Sequence, residues 1–288
     1  VPSCSPIRTM RAQQAYRRDR HLFEWLLFML VVILSFRAAW IIGGGNTYDF
    51  FWKAWDGQGY YQWLPTAFIT GKWDMMPWSH MISETKAINL FTLGVSVLQL
   101  PFFLLSELLT WFFGYPDTGY NPANAACMMA ATATYAGAGA VLSFKLARRY
   151  STTSAALLAV IAIYAGSNLF YYATDQPLMS HVYSYFLVTL FCWCGLRVID
   201  GPRRAHVFLF LVSGALMLLV RQLNIVVALF PLWMAWRSPA GIRGAWKNLL
   251  GHRGVFVLGL ILGLVPWVLQ SIYWHHITGD WYANGYAY

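Results

Sequence analysis

Charge is what this sequence has least of. Only 11% of its 288 residues are Asp, Glu, Lys or Arg, whereas 58% are hydrophobic and 18% aromatic; a soluble domain carries about 25% charged residues. That balance excludes a disordered chain and argues against a soluble globule. A cysteine framework is also lacking. Cys4 lies in the N-terminal tail and Cys127, Cys192 and Cys194 lie inside apolar runs, with neither disulfide nor metal-site spacing. Phosphate-cradling loops and Gly-x-Ser-x-Gly elbows are missing, and so are internal repeats and low-complexity linkers. Gly43-Gly44-Gly45 follows an apolar helical run and not a strand, so it reads as a span-ending turn.

What the sequence does have is apolar runs long enough to cross about 30 Å of hydrocarbon, each needing roughly 20 residues. The first, residues 22–42, follows a basic tail containing Arg8, Arg11, Arg17, Arg18 and Arg20. It is too long for a signal peptide and ends in Trp40-Ile41-Ile42 without a small-residue cleavage site, so it reads as a retained span. Further spans are expected near 123–146, 153–171, 182–199, 206–220, 222–236 and 254–274. A further apolar run, residues 88–113, is interrupted by Gln99-Leu100-Pro101 and by Glu107, and reads as an interfacial or re-entrant segment on the outer side.

The +9 formal charge would suggest nucleic acid in a soluble protein. In a membrane protein it instead marks the loops kept in the cytoplasm. With 88–113 left on the outer side, fifteen of the twenty Lys and Arg fall in the N-terminal tail and in loops 145–149, 197–204 and 237–253. Eight of the eleven acids then fall on or near the outer side. The expected fold is therefore an all-α polytopic bundle of about seven spans with interfacial helices in the first outer loop. It forms one membrane domain over 1–288, with a cytoplasmic tail at 1–21, an outer loop at 43–122, and the N-terminus inside. Val1 is not Met and Tyr288 falls within an outer loop, as expected of a fragment whose later spans are missing.

An outer loop this long is more often functional than idle. In it, Asp49, Lys53, Asp56 and Tyr60 are spaced by four, three and four, which on a helix makes one face. Gly57 and Gly59 suggest that this helix ends near Asp56. An amphipathic interface helix with solvated charges is the competing explanation. Asp175-Gln176-Pro177 precedes the expected fourth span, where Asp175 serves either as a cap or in a site. Arg221 and Asn224 form a short turn between two spans, and Arg221 there either snorkels or binds an anion. His80, His181, His275 and His276 share the outer side without metal-ligand spacing.

These motifs together resemble the GT-C superfamily of integral-membrane glycosyltransferases, especially bacterial relatives of protein O-mannosyltransferases and of the lipid A aminoarabinose transferase. The resemblance rests on the basic tail, one span, then an outer loop in which Asp56-Gly57-Gln58-Gly59-Tyr60 stands where such enzymes commonly carry Asp-Glu-x-x-Tyr. Pro101-Phe102-Phe103 and Asp175-Gln176-Pro177 match a Pro-Phe pair and a second acidic site. Gly57 replaces the second acid of the motif, which weakens any acidic pair as a metal site.

The resemblance implies an enzyme of the bacterial inner membrane. It would move a sugar from a polyprenyl-phosphate donor to a hydroxyl of a glycan, lipid or protein acceptor at the outer face, with no nucleic-acid partner. Asp56 is then the general base, and Asp175 positions the acceptor or a divalent cation. Arg221 holds the leaving phosphate, with Lys53 or Lys86 as the next candidates, and Tyr60 or Tyr61 stacks on the sugar. His181 and Asn224 are expected among the substrate-binding residues. A transporter or lipid flippase is the alternative class. Its mark would be midplane ion pairs or repeated broken helices, whereas here the acids gather on one face.

Overall fold

The computed structural model describes residues 6–43, 50, 51, 53 and 55–283, with side chains from residue 21 onward apart from Trp55. Cys4, Gly44, Gly45, Asp49 and the arginine side chains of the tail lie outside the described residues. The described chain is almost entirely helical. Its elements are α1 (Pro6–Ile42), α2 (Trp55–Tyr61), the two-residue strands β1 (His80–Met81) and β2 (Ala87–Ile88), α3 (Gly94–Phe113), α4 (Pro122–Arg148), α5 (Thr153–Ala165), α6 (Leu169–Thr174), α7 (Ser180–Asp200), α8 (Arg204–Val220), α9 (Leu229–Arg237), α10 (Gly241–Leu250) and α11 (Arg253–Thr278). Among the described residues, five helices are long and apolar enough to cross a bilayer: residues 21–42 of α1, and α3, α4, α7 and α11. Leu26, Leu30 and Ile33 on α1 and Ile261, Val268 and Leu269 on α11 are exposed, forming apolar faces of the kind that lipid covers. The protein is an integral-membrane helical bundle.

Helix α4 is central and packs against α1, α3, α5 and α7. Its start is fixed by Asn121, whose side chain accepts from the N–H groups of Ala123 and Asn124, and by Pro122 in the first turn. Lys145 and Arg148 sit in its last turn, favourable to the helix dipole. Small buried residues line its sides. A Cβ on Gly137 would lie 2.8 Å from Val32 and one on Gly139 would lie 2.5 Å from the Tyr185 ring. Such stripes let membrane helices approach closely, where van der Waals packing replaces the hydrophobic effect as the source of cohesion.

Cross-helix contacts define two ends of the bundle. At one end Lys145 pairs with Glu24 at 2.9 Å, Arg149 makes a bidentate pair with Asp200, and the Asn248 amide donates to the Val198 carbonyl at 2.8 Å. At the other end lie the start of α7 and the turn after α8. There the Asn224 amide donates to Ser184 Oγ at 2.8 Å and to the Met217 carbonyl at 2.9 Å.

The chain reverses at Arg221, as the sequence suggests, and does not continue as one helix over 206–236. Arg221 is extended (φ −151°, ψ 116°), a 3-10 segment Gln222–Ala228 follows, and Pro231 then packs beside Gly195, back along α7. The expected span at 153–171 is shorter in the structure. Its helix stops at Ala165, where Gly166 forms the C-cap and the Ser167 hydroxyl donates to the Ile163 carbonyl at 2.6 Å.

The expected interruption at Pro101 is not found: α3 runs unbroken through it. The Tyr135 hydroxyl donates to the Leu98 carbonyl at 2.7 Å, in the turn before the proline. Glu107 is satisfied by the Asn124 amide at 2.7 Å. Gly94 abuts Leu219 and Val220, and Thr110 accepts from the Asn121 amide at 2.8 Å.

Candidate active site

Helix α2 begins at Trp55, places Asp56 in its first turn, and runs through Gly57 and Gly59. The expectation that the glycines end the helix at Asp56 is therefore corrected. Gly59 is needed for a close approach: a Cβ there would lie 2.0 Å from the Phe91 ring, while its carbonyl accepts from the Asn89 amide at 2.8 Å. Tertiary packing overrides the weak helix propensity of glycine. The Asp56 carboxylate is exposed and has no hydrogen-bond or ion-pair partner among the described residues. Of the residues expected on one face, Lys53 and Asp56 are exposed, Tyr60 is buried beside Phe91 at 4.7 Å, and Asp49 lies outside the described residues.

Asp175 is the C-cap of α6 and not a cap of α7, whose N-cap is Met179. A carboxylate at a helix C-terminus opposes the dipole, so capping does not explain it. It is held by neighbours instead. The Gln176 amide reaches it at 3.3 Å and also donates to the Lys53 carbonyl at 3.5 Å. Tyr171 hydrogen-bonds to the carboxylate, which raises the phenol above its ordinary range. Through Gln176, the loop before α2 and the loop before α7 are tied together. Lys53 itself is exposed.

His181 opens the next turn. Its ring lies flat on Tyr172 at 3.5 Å and 3°, its Nδ1 is buried without a partner, and Arg221 is near enough for its charge to act on the imidazole. Arg221 is exposed, and with Tyr60, Asn89, Thr92, Gln222 and Trp274 it lines a polar cavity of about 240 Å³. On the other side of segment 89–93 is an apolar groove of about 540 Å³, walled by Trp63, Phe68, Val97, Leu100 and Ile272 and reaching His276. Trp63 Nε1 donates to the Phe91 carbonyl at 3.1 Å, and the Tyr273 hydroxyl accepts from the Asn89 N–H at 2.8 Å, which makes the partition rigid.

The structure thus brings Lys53, Asp175, His181, Arg221 and Tyr60 to one end of the bundle, with Asp56 on the same short helix as Tyr60. It sets three expected residues apart. Tyr61 is fully buried, stacked on Phe51 at 4.8 Å, with its hydroxyl on the Gly119 carbonyl at 2.5 Å. It has no surface to offer a sugar. Lys86 donates to the His276 carbonyl at 2.6 Å, in the last turn of α11. Asn224 staples α8 to α7, and both its amide donors are used.

The outer histidines do not converge. His276 pairs with Asp74 at 2.8 Å, and His275 stacks on Trp281 at 4.1 Å. Among the described residues no three His, Cys, Asp or Glu side chains group as a metal site. Sequence reasoning missed Asn89, Gln58 and Gln62, all buried amides of the outer loop. Their only sequence signal is polarity inside an aromatic stretch. Protein-family models, curated proteins and solved structures were each compared with the chain, and none matches.

Proposed function

We propose that the protein is a membrane glycosyltransferase. It transfers a sugar from a polyprenyl-phosphate donor to an acceptor hydroxyl at the Arg221 end of the bundle, taken as the outer face, with the N-terminus cytoplasmic. The observation that carries the reading is the pairing of a polar cavity containing Arg221 with a separate apolar groove across segment 89–93. A lipid-linked phosphate needs both, a cation for the phosphate and an apolar channel for its chain. We read α3 as an interfacial segment, which leaves seven spans; what supports this is that Gly94 meets the end of α8 and Thr110 meets the residue that caps the start of α4.

In this reaction the acceptor oxygen bonds to the anomeric carbon as the bond from that carbon to the phosphate oxygen breaks. The electron pair leaves with the phosphate, already stable as an anion, and Arg221 holds it through charge-assisted hydrogen bonds. The acceptor proton passes to Asp56, whose partner-free carboxylate suits a general base. Asp175, fixed by Tyr171 and Gln176, orients the acceptor or a divalent cation. In this reading His181 and Lys53 are further substrate-binding residues.

The test is transfer from radiolabelled polyprenyl-phosphate sugars by the protein reconstituted in liposomes. Asp56→Asn should lower the rate by about 10²–10⁴, the usual worth of a general base, while insertion and melting temperature stay unchanged. Full activity in that variant would remove Asp56 from the role.

A further inference from the structure

A second cavity, of about 710 Å³, lies beside α2 and apart from the Arg221 cavity. Its walls are Gln58, Trp78, Thr118 and Tyr120, framed by Pro77, Pro116 and Pro122. Among the described residues no acid, Lys, Arg or His lines it, so it offers nothing to a phosphate or a carboxylate.

The cavity is built with care. Gln62, itself fully buried, clamps the backbone of Trp78: its Oε1 accepts from the Trp78 N–H at 2.8 Å, and its Nε2 donates to the Trp78 carbonyl at 3.1 Å. The backbone that carries the indole is thereby fixed, and Gln62 Nε2 also reaches Ser79 Oγ at 3.4 Å. Tyr120 is held edge-on by Phe51 at 5.2 Å and by Tyr61 at 5.6 Å. Its hydroxyl makes no hydrogen bond among the described residues. Gln58, one helical turn before Gln62, is 1% exposed and donates its amide N–H to the Phe51 carbonyl, yet its Oε1 is buried without a partner. A buried acceptor left unpaired is costly, so it stands as a vacant point for a donated hydroxyl. Fixed aromatic faces, unpaired neutral polar atoms and a proline frame make a surface for a ligand with apolar C–H faces and many hydroxyls.

We infer that this cavity binds a neutral saccharide, with Trp78 and Tyr120 against the sugar faces and Gln58 accepting from a sugar hydroxyl. Gln58 and Asp56 are two residues apart on α2 and so face different sides of the helix. The cavity therefore holds a unit of a glycan acceptor remote from the reacting hydroxyl, a role that rests on the transferase reading above, whereas saccharide binding itself does not.

Saturation-transfer NMR on the purified full chain, with the methyl pyranosides of glucose, mannose, galactose and N-acetylglucosamine as probes, tests the site. At least one probe should show saturation transfer in the wild type. The signal should vanish in Trp78→Ala and Tyr120→Leu and persist in Tyr120→Phe. Thr118→Trp, which fills the cavity from its exposed rim, should abolish it as well and guards against a folding defect in the other two. No signal from any probe, or a signal unchanged in all these variants, overturns the site. Binding without transfer from any polyprenyl-phosphate sugar would sustain the site and remove the transferase reading. Transfer to a glycan, with a saccharide signal indifferent to the substitutions, would do the reverse.

Discussion

Adjacent tyrosines in α2 meet opposite surroundings because consecutive helical residues point about 100° apart. Tyr60 turns to Phe91 and the Arg221 cavity, and Tyr61 turns into the aromatic cluster of Phe51, Phe103 and Tyr120. Tyr61→Phe should lower stability by about 1–3 kcal/mol, since the buried Gly119 carbonyl loses its donor. A thermal melt in detergent reads that loss, and the donor KM should not move. Arg221→Ala should do the opposite. Loss of charge-assisted hydrogen bonds of about 1.5–3 kcal/mol raises donor KM by roughly tenfold to a hundredfold, with little change in melting temperature because the side chain is exposed. A donor KM equal to wild type in Arg221→Ala would remove the phosphate role. At this scale the sequence identifies residue types but not their neighbours. The spacing in Asp56-Gly57-Gln58-Gly59-Tyr60 puts an acid beside a tyrosine. It cannot reveal that Phe91, 32 residues away, presses on Gly59, or that Gln176 ties Asp175 to Lys53.

The helices were legible where composition alone decides. The C-terminal end of α1 and both ends of α4, α7 and α11 fall within a few residues of the hydropathy boundaries, because lipid imposes one length and forbids unpaired backbone. The elements that sequence reasoning misjudged are those set by partners. Helix α3 continues through Pro101, with Tyr135 bonded to Leu98 in the turn before it, and α2 continues through Gly59, where Phe91 occupies the space a side chain would take. Gly94 shows the same dependence from the other side. A Cβ there would lie 2.7 Å from the Val220 nitrogen and 2.8 Å from the Leu219 carbonyl carbon, both backbone atoms that cannot swing aside. Gly94→Val should therefore push α3 off the end of α8, at a cost of about 1–3 kcal/mol for overpacking. Because Tyr60, Thr92 and Arg221 border that junction, donor KM should rise along with the loss of thermal stability. Retention of both wild-type values would mean that α3 moves freely over α8, contrary to its packing.

For the whole molecule the open question is which way it faces, and the packing makes that testable. The contacts Glu24–Lys145, Arg149–Asp200 and Asn248–Val198 gather at one end the helix termini that carry most of the basic loops. Lys and Arg are retained in the cytoplasm, so that end should be inside and the Arg221 end outside. Cys127, Cys192 and Cys194 are buried, which leaves Cys4 to be replaced before single cysteines are introduced. Leu223→Cys, at a position 84% exposed beside Arg221, should react with a membrane-impermeant maleimide in intact cells. Tyr150→Cys, 59% exposed at the opposite end, should react only after permeabilisation. Tyr115→Cys, just past α3, separates the two topologies when compared with Met81→Cys, at a position 49% exposed before α3. If α3 lies along the outer interface, it labels from outside together with Leu223→Cys. If α3 crosses the bilayer, positions 81 and 115 fall on opposite sides, and only one of the two labels in intact cells. Labelling at 150 in intact cells would invert the molecule, moving Asp56, Asp175 and Arg221 to the cytoplasm and requiring a donor presented from the inner leaflet.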